Sequence, residues 1–240
     1  MTIFASAIGR KTSSLIGHLR AAYNCGDNLP GRKQFDGQVQ RLENILRPTC
    51  FRETLPIVES AGTELGYQAP RWFVHLTGLR HLVSRVILIG DAGLLLQRRS
   101  GDRFGVKGTV DLTAGGHVLT GETPLESAYR EMQEEIGIGR ESLIGGELRR
   151  IGRPYFVSSA KPDDYTLNKE ITVLFGGRLL NGSTKFSCQR TEVEELFFSS
   201  LEQAQGFIDR QLAASSLRYS LPILESLRFD VHFPNRPNDR

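Results

Sequence analysis

Four glutamates and an arginine lie close together on one short segment of the chain, whose sequence is GHVLTGETPLESAYREMQEEIGI. These residues are Glu122, Arg130, Glu131, Glu134 and Glu135. Carboxylate oxygens are the ligands that Mg²⁺ and Mn²⁺ prefer, and these ions keep waters that can become nucleophiles. The segment therefore predicts a divalent-cation site that can support hydrolysis.

The spacing predicts that most of these residues share one helix, from Pro124 to Ile136. Thr123 and Glu126 are typical of a capping box, and Pro124 suits the first helical position because its missing N–H costs no hydrogen bond. Gly137 supplies a left-handed stop. At about 100° per residue, the apolar side chains fall on one side of the helix and three glutamates on the other. One face packs, and the opposite face is a carboxylate cluster.

A solvated acidic surface is the alternative interpretation, because most charge runs are of that kind. Glu131 and Glu135 argue against it, since like charges one helical turn apart repel and the C-terminal half of a helix disfavours anions. A bound cation would offset both costs. Arg130 can place its guanidinium on one of the carboxylates and fix its rotamer.

The segment resembles the Nudix box, whose pattern is G-x5-E-x7-R-E-U-x-E-E-x-G-U with U apolar. Every fixed position matches, and the matching residues are Gly116, Glu122, Arg130, Glu131, Met132, Glu134, Glu135, Gly137 and Ile138. The resemblance implies an α/β fold, a Nudix α/β/α sandwich with a mixed β-sheet. It also implies hydrolysis of a nucleoside diphosphate linked to another moiety, or of a related organic diphosphate.

The resemblance further implies roles for the matching residues. Three glutamates are expected to bind Mg²⁺ or Mn²⁺, and these are Glu131, Glu134 and Glu135. Arg130 is expected to orient a catalytic carboxylate, and Glu122 to support the site from its loop. Glu134 is the first candidate for the general base, and Glu170 and Glu194 are the next candidates.

Within the superfamily, the chain is similar to the isopentenyl-diphosphate isomerase-like branch in Gln97-Arg98-Arg99, in Arg80-His81 and in residues 111–117. In those isomerases a cysteine precedes the Gly-His pair, whereas Gly115 stands here, and their box is degenerate. A hydrolase is therefore favoured over an isomerase. The isomerases bind a second metal through histidines at places similar to His75, His81 and His117, and the alternative for His117 is a loop hydrogen-bonding role.

Contacts to a substrate are predicted from residue type. The candidates are Arg98, Arg99, Lys107, Glu170 and His117. The three cations could steer a diphosphate toward the site, and they could equally be solvated strand ends. A small-molecule diphosphate is the expected partner, and homodimers are common among proteins of this kind. A ligand-sensing Nudix module without catalysis is a further alternative, although such modules often lose box glutamates.

The resemblance covers roughly residues 80–207. Strands are predicted at residues 85–90, 94–99, 147–159, 170–180 and 192–199, and a helix from Ser200 to about Ala213. Domains are predicted as a mainly helical N-terminal extension at 1–79, a Nudix hydrolase domain at 80–232 and a mobile tail at 233–240. Within the extension, residues 24–37 are predicted to be loop, and 38–46 and 53–65 helical. Trp72 is predicted to anchor this segment to a core.

Composition excludes several classes of protein. The 240 residues are 39% hydrophobic and 24% charged, which is ordinary for a soluble protein. A net charge of +3 is too small to indicate nucleic-acid binding, and no apolar run is long enough to cross a membrane. Cys25, Cys50 and Cys188 form no metal-like or disulfide pattern, so a reducing cytoplasm is expected. An organelle transit peptide at residues 1–26 is the alternative, because the first acidic residue is Asp27.

Overall fold

The computed structural model describes residues 10–23, 29–48, 50–100, 108–161, 166–180 and 184–226. Two compact units are interleaved along the chain. The first unit comprises the described parts of Met1–Val83, His117–Glu122 and Pro154–Thr172. The second unit comprises those of Ser84–Gly116, Thr123–Arg153 and Val173–Arg240. Lys107 and the predicted tail at 233–240 lie outside the described residues.

The first unit holds most of the N-terminal segment. Its elements are helix α1 (Arg10–Tyr23), helix α2 (Arg32–Leu46), strands β1 (Thr54–Val58) and β2 (Glu64–Pro70), and helix α3 (Arg71–Thr77). β1 and β2 pair antiparallel as a two-stranded sheet. The core contains Phe35, Leu42, Trp72 and Phe73, with Trp72 only 1% exposed, as its predicted role as an anchor requires.

Two predictions for this segment are wrong. Residues 24–37 were predicted to be loop, but helix α2 begins at Arg32. Burial of Phe35 in the core outweighs the weak helix propensity of Gly37. Residues 53–65 form β1 and the start of β2 rather than a helix. Pro56 lies in the middle of this stretch, where it would break a helix.

A larger sheet carries the remaining strands. They are β3 (Arg80–Gly90), β4 (Gly93–Arg99), β5 (Val110–Asp111), β6 (Ala114–His117), β7 (Arg149–Lys161), β8 (Thr166–Arg178) and β9 (Val193–Ser199). The order is β5-β4-β3-β8-β7, with β6 paired to β3 and β9 to β4, which makes seven strands among the described residues. Every predicted strand is present, and the bounds differ by one to five residues. The mixed α/β class is confirmed.

The second unit contains α4, which is the helix of the box, and the two helices that follow it in the chain. Helix α4 spans Pro124–Ile136, as predicted. Helix α5 spans Leu201–Asp209 behind the predicted Ser200 capping box, and it ends before Ala213 because the chain turns at Gln211, which has a φ of 59°. Helix α6 (Ser215–Glu225) was not predicted, since Pro222 inside it reads as a helix breaker. None of the helices in the described ranges has the length and apolarity needed to span a membrane.

Candidate functional site

Both ends of α4 are fastened by hydrogen bonds. At the N-terminus, Thr123 Oγ1 accepts from the Glu126 N–H at 3.2 Å, and Glu126 Oε2 accepts from the Thr123 N–H at 2.8 Å, which completes the capping box. At the C-terminus, Gly137 is left-handed with a φ of 71°. Residues 187–192, named the strap here, donate two N–H groups to carbonyls of the last turn, Ser187 to Ile136 at 3.0 Å and Gln189 to Glu135 at 2.8 Å. The helix that carries the glutamates is therefore held at each end.

Gly116, the first residue of the box, lies against the carboxylate of Glu131. A Cβ on Gly116 would lie 2.1 Å from Glu131 Oε1 and 2.4 Å from its carboxyl carbon. No side chain fits into this space unless the carboxylate moves. The invariant glycine of the pattern thus has a steric reason in this chain: it lets the backbone approach Glu131.

Arg130 links two of the glutamates. Its Nη1 donates to Glu131 Oε1 at 2.7 Å and to Glu134 Oε2 at 3.2 Å. The Glu131 side chain is 12% exposed, whereas that of Glu134 is 53% exposed. Burial raises the pKa of the Glu131 carboxyl, and the adjacent Arg130 guanidinium opposes this rise. Arg130 therefore contacts two carboxylates of the cluster, and its role in orienting a catalytic carboxylate stays a prediction.

Glu135 is the most deeply buried acid of the cluster. Its Oε2 accepts a hydrogen bond from Nε2 of Gln97, on β4, at 2.9 Å. Burial is the largest cause that raises the pKa of Glu135 to about 8, and the negative charges of Glu131 and Glu192 contribute to this rise. A carboxyl with this pKa holds its proton at neutral pH unless a cation replaces the proton.

The balance of charges around Glu135 favours a cation. Four carboxylates interact here, those of Glu131, Glu134, Glu135 and Glu192. The guanidiniums of Arg130 and Arg99 oppose this repulsion. Arg99 is also paired with buried Asp111, and its Nη1 lies 2.8 Å from Asp111 Oδ2. Carboxylates that repel in a partly buried place suit the oxygen preference of Mg²⁺ or Mn²⁺. Glu192 has no counterpart among the sequence predictions, because it lies outside the box.

The cations predicted to contact a substrate are engaged in contacts within the second unit. Arg98 donates from Nε to Glu195 Oε2 at 3.3 Å, and its guanidinium lies 5.5 Å from the centre of the Phe197 ring. Arg99 is paired with Asp111, which also accepts a hydrogen bond from Ser216. These contacts favour the structural interpretation of both arginines over the steering one.

Glu122, the loop glutamate of the box, belongs to the first unit. Its Oε2 accepts from the Leu119 N–H at 3.0 Å, and its own N–H donates to the Leu119 carbonyl at 3.0 Å. The side chain therefore closes the turn at residues 119–122. This contact is consistent with a supporting role for Glu122 in the loop.

Three histidines meet inside the first unit. They are His75 on α3, His81 on β3 and His117 at the end of β6. Each offers one nitrogen, and these nitrogens lie within 4.8 Å of one another. His75 Nε2 and His117 Nε2 are 3.1 Å apart, and the three ring centres are 5.0 to 5.1 Å apart. Sequence spacing gave no sign of this convergence, although the resemblance to the isomerases had singled out the same residues.

Burial keeps two imidazoles of this cluster neutral, those of His75 and His81. Burial lowers the pKa of His75 well below its ordinary value, and the positive charges of His81 and Arg71 add to this effect. Burial also lowers the pKa of fully buried His81, while the nearby Glu170 carboxylate opposes the change. His81 Nδ1 lies 3.2 Å from the Leu79 carbonyl oxygen, and within the described chain its buried Nε2 has no hydrogen-bond partner. Neutral imidazoles with a buried nitrogen lacking a partner fit a metal such as Zn²⁺.

Glu170 lies in the first unit as well, and it is buried. Its Oε1 accepts from the side-chain amide of Asn168 at 2.5 Å. Because its charge acts on His81, Glu170 belongs with the histidines. Glu194, the other late carboxylate proposed as a base, is exposed on β9 in the second unit.

Comparison with known proteins gives one family. The model of the NUDIX domain matches residues 79–220. The chain is 35% identical over 163 residues to Nudix hydrolase 3 of Arabidopsis thaliana, covering 66% of this chain and 21% of that protein. It is 45% identical over 130 residues to the uncharacterized Nudix hydrolase lmo0368 of Listeria monocytogenes, covering 54% of this chain and 69% of that protein. The chain thus spans about a fifth of the first relative's length.

The fold has a counterpart among solved structures. DR0079 from Deinococcus radiodurans superposes with a TM-score of 0.54 at 20% identity, covering 73% of this chain and all of that one. At this identity the likeness concerns the fold alone. It agrees with the α/β architecture expected from the box.

Proposed function

Because this chain belongs to the Nudix family, we propose that it is a metal-dependent hydrolase that cleaves a diphosphate linkage through attack of water on phosphorus. The observation that carries the proposal is the state of Glu135. This carboxylate is buried, has a pKa raised to about 8, and is surrounded by other carboxylates on a helix fastened at both ends. Such a group is costly for stability and is suited to hold a cation.

Each residue of the cluster has a proposed role that fits its contacts. Glu131, Glu134 and Glu135 hold Mg²⁺ or Mn²⁺. Arg130 keeps the carboxylates of Glu131 and Glu134 in place through its hydrogen bonds of 2.7 and 3.2 Å. Glu122 shapes the preceding loop. Glu134 is proposed as the base, because its half-exposed carboxylate can reach water, whereas Glu131 and Glu135 are buried.

The reaction is a hydrolysis that needs no redox partner. Oxygen of a water molecule forms a bond to phosphorus, the bridging P–O bond breaks, and the displaced phosphate leaves with the electron pair of that bond. The carboxylate of Glu134 takes the proton of the attacking water. A divalent cation held by Glu131, Glu134 and Glu135 would neutralise charge on the phosphoryl oxygens and lower the pKa of a bound water.

Gly115 supports hydrolysis over isomerisation. A Cβ at this position would lie 2.5 Å from the Ser84 carbonyl oxygen and 2.7 Å from Cδ of Arg85. A cysteine, the residue that isomerases carry here, would therefore displace the backbone of the neighbouring strand. The site is built for a residue without a side chain.

Hydrolysis is tested with purified protein, Mg²⁺ or Mn²⁺, and a panel of nucleotide sugars, dinucleotides, coenzyme A, oxidised nucleotides, thiamine diphosphate and prenyl diphosphates. For the substrate found, Glu134→Gln and Glu135→Gln should each lose about a hundredfold or more in rate, since positioned metal and base carry the reaction. The matched control is Glu202→Gln, an exposed acid in the first turn of α5. Full turnover in both box variants would contradict the assignment.

The histidine cluster is proposed as a second metal centre, with His75, His81 and His117 as ligands. Zn–N bonds of about 2.1 Å in tetrahedral geometry put ligand nitrogens about 3.4 Å apart, close to the 3.1 Å between His75 and His117. The buried Nε2 of His81 gains a partner when a metal binds. Imidazole favours zinc, cobalt or nickel over magnesium, so this centre differs chemically from the carboxylates.

Cobalt provides a direct test of the second centre. Titration of metal-free protein with Co²⁺ should give visible absorption bands of nitrogen-coordinated ion, and His81→Ala should remove them. His18→Ala is the control, because His18 is exposed on α1 and its Nδ1 lies 2.6 Å from the Ser14 carbonyl oxygen of the same helix. Identical spectra for the wild type and His81→Ala would exclude the centre.

A further inference from the structure

Gln97 interrupts the apolar run of β4. It follows the buried Leu94, Leu95 and Leu96, and it is itself only 3% exposed. A buried amide lowers stability unless it is hydrogen-bonded, so leucine would suit the strand better at this position. The Nε2 of Gln97 donates to Glu135 Oε2 at 2.9 Å. We propose that Gln97 is a positioning residue of the cation site, which fixes the carboxylate of Glu135.

This inference rests on the function proposed above, because it requires that Glu131, Glu134 and Glu135 hold a divalent cation. It goes further in one respect, since the box pattern contains no residue of β4 and gives Gln97 no role. The expected effect of Gln97 is on the affinity for the ion, exerted through the carboxylate of Glu135.

The backbone of Gln97 is held from both sides. It lies opposite Asp111 of β5 and also opposite Leu196 of β9, and both of these strands pair antiparallel with β4. A residue between two paired strands cannot slip along its own strand without changing both registers. The side chain of Gln97 therefore starts from a fixed place, as a group that orients another group requires.

The backbone of Glu135 is held as well. Its carbonyl accepts a hydrogen bond from the Gln189 N–H of the strap at 2.8 Å. What remains free is rotation about the side-chain bonds of Glu135, and the bond from Gln97 restricts this rotation. A carboxylate offers about four lone-pair positions, so one hydrogen bond leaves room for an ion on the same group.

The donor at Glu135 carries no charge, which favours an ion. A guanidinium bonded to this carboxylate would neutralise it and oppose the binding of a cation. The two arginines that follow in β4 each pair with another acid. Arg98 bonds to Glu195 at 3.3 Å, and Arg99 bonds to buried Asp111 at 2.8 Å. The neutral amide thus orients the carboxylate and leaves its negative charge for the ion.

The test is calorimetric titration of metal-free protein with Mg²⁺, an ion that imidazoles bind poorly, so that the histidine cluster contributes little heat. Gln97→Met keeps the length of the side chain and removes the donor, and it should weaken Mg²⁺ binding about tenfold or more. Gln97→Asn keeps the amide but is shorter by a methylene group, so it should weaken binding as well.

The matched control is Gln205→Met. Gln205 donates from Nε2 to Asp209 Oδ1 at 2.7 Å on α5, so the variant removes a bond of the same kind outside the site. Its Mg²⁺ affinity should stay within about twofold of wild type.

A double-mutant cycle distinguishes positioning from a purely structural role. Glu135→Asp keeps a carboxylate but draws it back from Gln97, and its weaker Mg²⁺ binding provides the second background. Because Gln97 acts through Glu135, Gln97→Met should weaken binding much less in this background than in wild type, whereas a general loosening of the fold would weaken both alike.

Three results would overturn the role of Gln97. They are Mg²⁺ binding by Gln97→Met within about twofold of wild type, an equal loss in both backgrounds, and failure of both Gln97 variants to fold by circular dichroism. The last result would show that Gln97 supports the fold itself. If wild type shows no Mg²⁺ uptake that Glu135→Gln reduces, the proposed function fails as well, so the two failures are told apart.

Discussion

Glu135→Gln should make the metal-free protein more stable than wild type, by a margin that grows as the pH rises, although the substitution removes a proposed metal ligand. In the folded protein the Glu135 carboxyl keeps its proton up to a pH of about 8, because it is buried among acids. In the unfolded chain it releases the proton near the ordinary pKa of glutamate, about 4.3. Its contribution to stability is therefore complete below that ordinary value and is lost as the pH rises through about 8.

The size of the effect follows from linkage. Where the folded state holds the proton and the unfolded state does not, the free energy of unfolding falls by about 1.4 kcal/mol for each pH unit. Between pH 5 and pH 8, Glu135 should thus remove about 3.5 kcal/mol, slightly less than three full units because half of the folded molecules have lost the proton at a pH of about 8. Glutamine has the same shape, cannot ionise, and still accepts the hydrogen bond that Gln97 donates at 2.9 Å. The stability of Glu135→Gln relative to wild type should rise by this amount over that range.

The assay is urea unfolding followed by far-ultraviolet circular dichroism, in a chelator, at several pH values. The difference between variant and wild type is the quantity of interest, because His75 and His81, whose pKa values are lowered, act on stability in both proteins alike. Glu134→Gln, the same substitution at the neighbouring half-exposed position, is the control. A difference for Glu135→Gln that stays flat with pH would refute the burial argument. Saturating Mg²⁺ should stabilise wild type more at pH 8 than at pH 6, because at pH 8 about half of the Glu135 carboxyls have already lost the proton that the ion must displace.

Three other substitutions test separate parts of the structure. Gly116→Ala places a methyl group 2.1 Å from Glu131 Oε1, so the Mg²⁺ affinity measured by calorimetry should fall about tenfold. Gly17→Ala in α1 is the control, because the space around Gly17 is open, and it should leave the Mg²⁺ affinity unchanged. Thr123→Ala removes the hydroxyl of the capping box and should lower the free energy of unfolding by about 1 kcal/mol in urea denaturation, and an unchanged midpoint would contradict the contribution of the cap. Trp72→Ala empties a fully buried position and should cost about 3 to 5 kcal/mol by the same measurement; a cost below 1 kcal/mol would show that Trp72 is no anchor.

Helix α4 was predictable because its signals are local. The capping residues Thr123 and Glu126, the proline at the first position and the terminal glycine all lie within one segment, and each acts on its immediate neighbours. Local signals failed where tertiary burial decides the structure. β1 and the start of β2 were mistaken for a helix, and helix α6 was missed because Pro222 is tolerated inside it.

The spacing of residues in the sequence could not predict that the three histidines lie together, or that Glu192 interacts with the glutamates of α4. His75, His81 and His117 come from a helix and two strands, and only the fold makes them neighbours. Glu192 and Glu194 look equivalent in the sequence, but Glu192 is half-buried in the turn before β9, whereas Glu194 is exposed at the irregularity of the β4–β9 pairing. Such an irregularity depends on how two strands pair, which their separate compositions do not reveal.

The anchoring of α4 at both ends bears on how selective the carboxylates can be. Helices commonly fray in their last turn, and Glu134 and Glu135 lie in that turn. Here fraying would also break the bonds from Ser187 and Gln189, so the spacing of these acids is set when the chain folds. Preorganisation of this kind leaves the ligands little freedom to adapt to an ion of another radius. Amide hydrogens of this turn should accordingly exchange with solvent as slowly as those of the central strands.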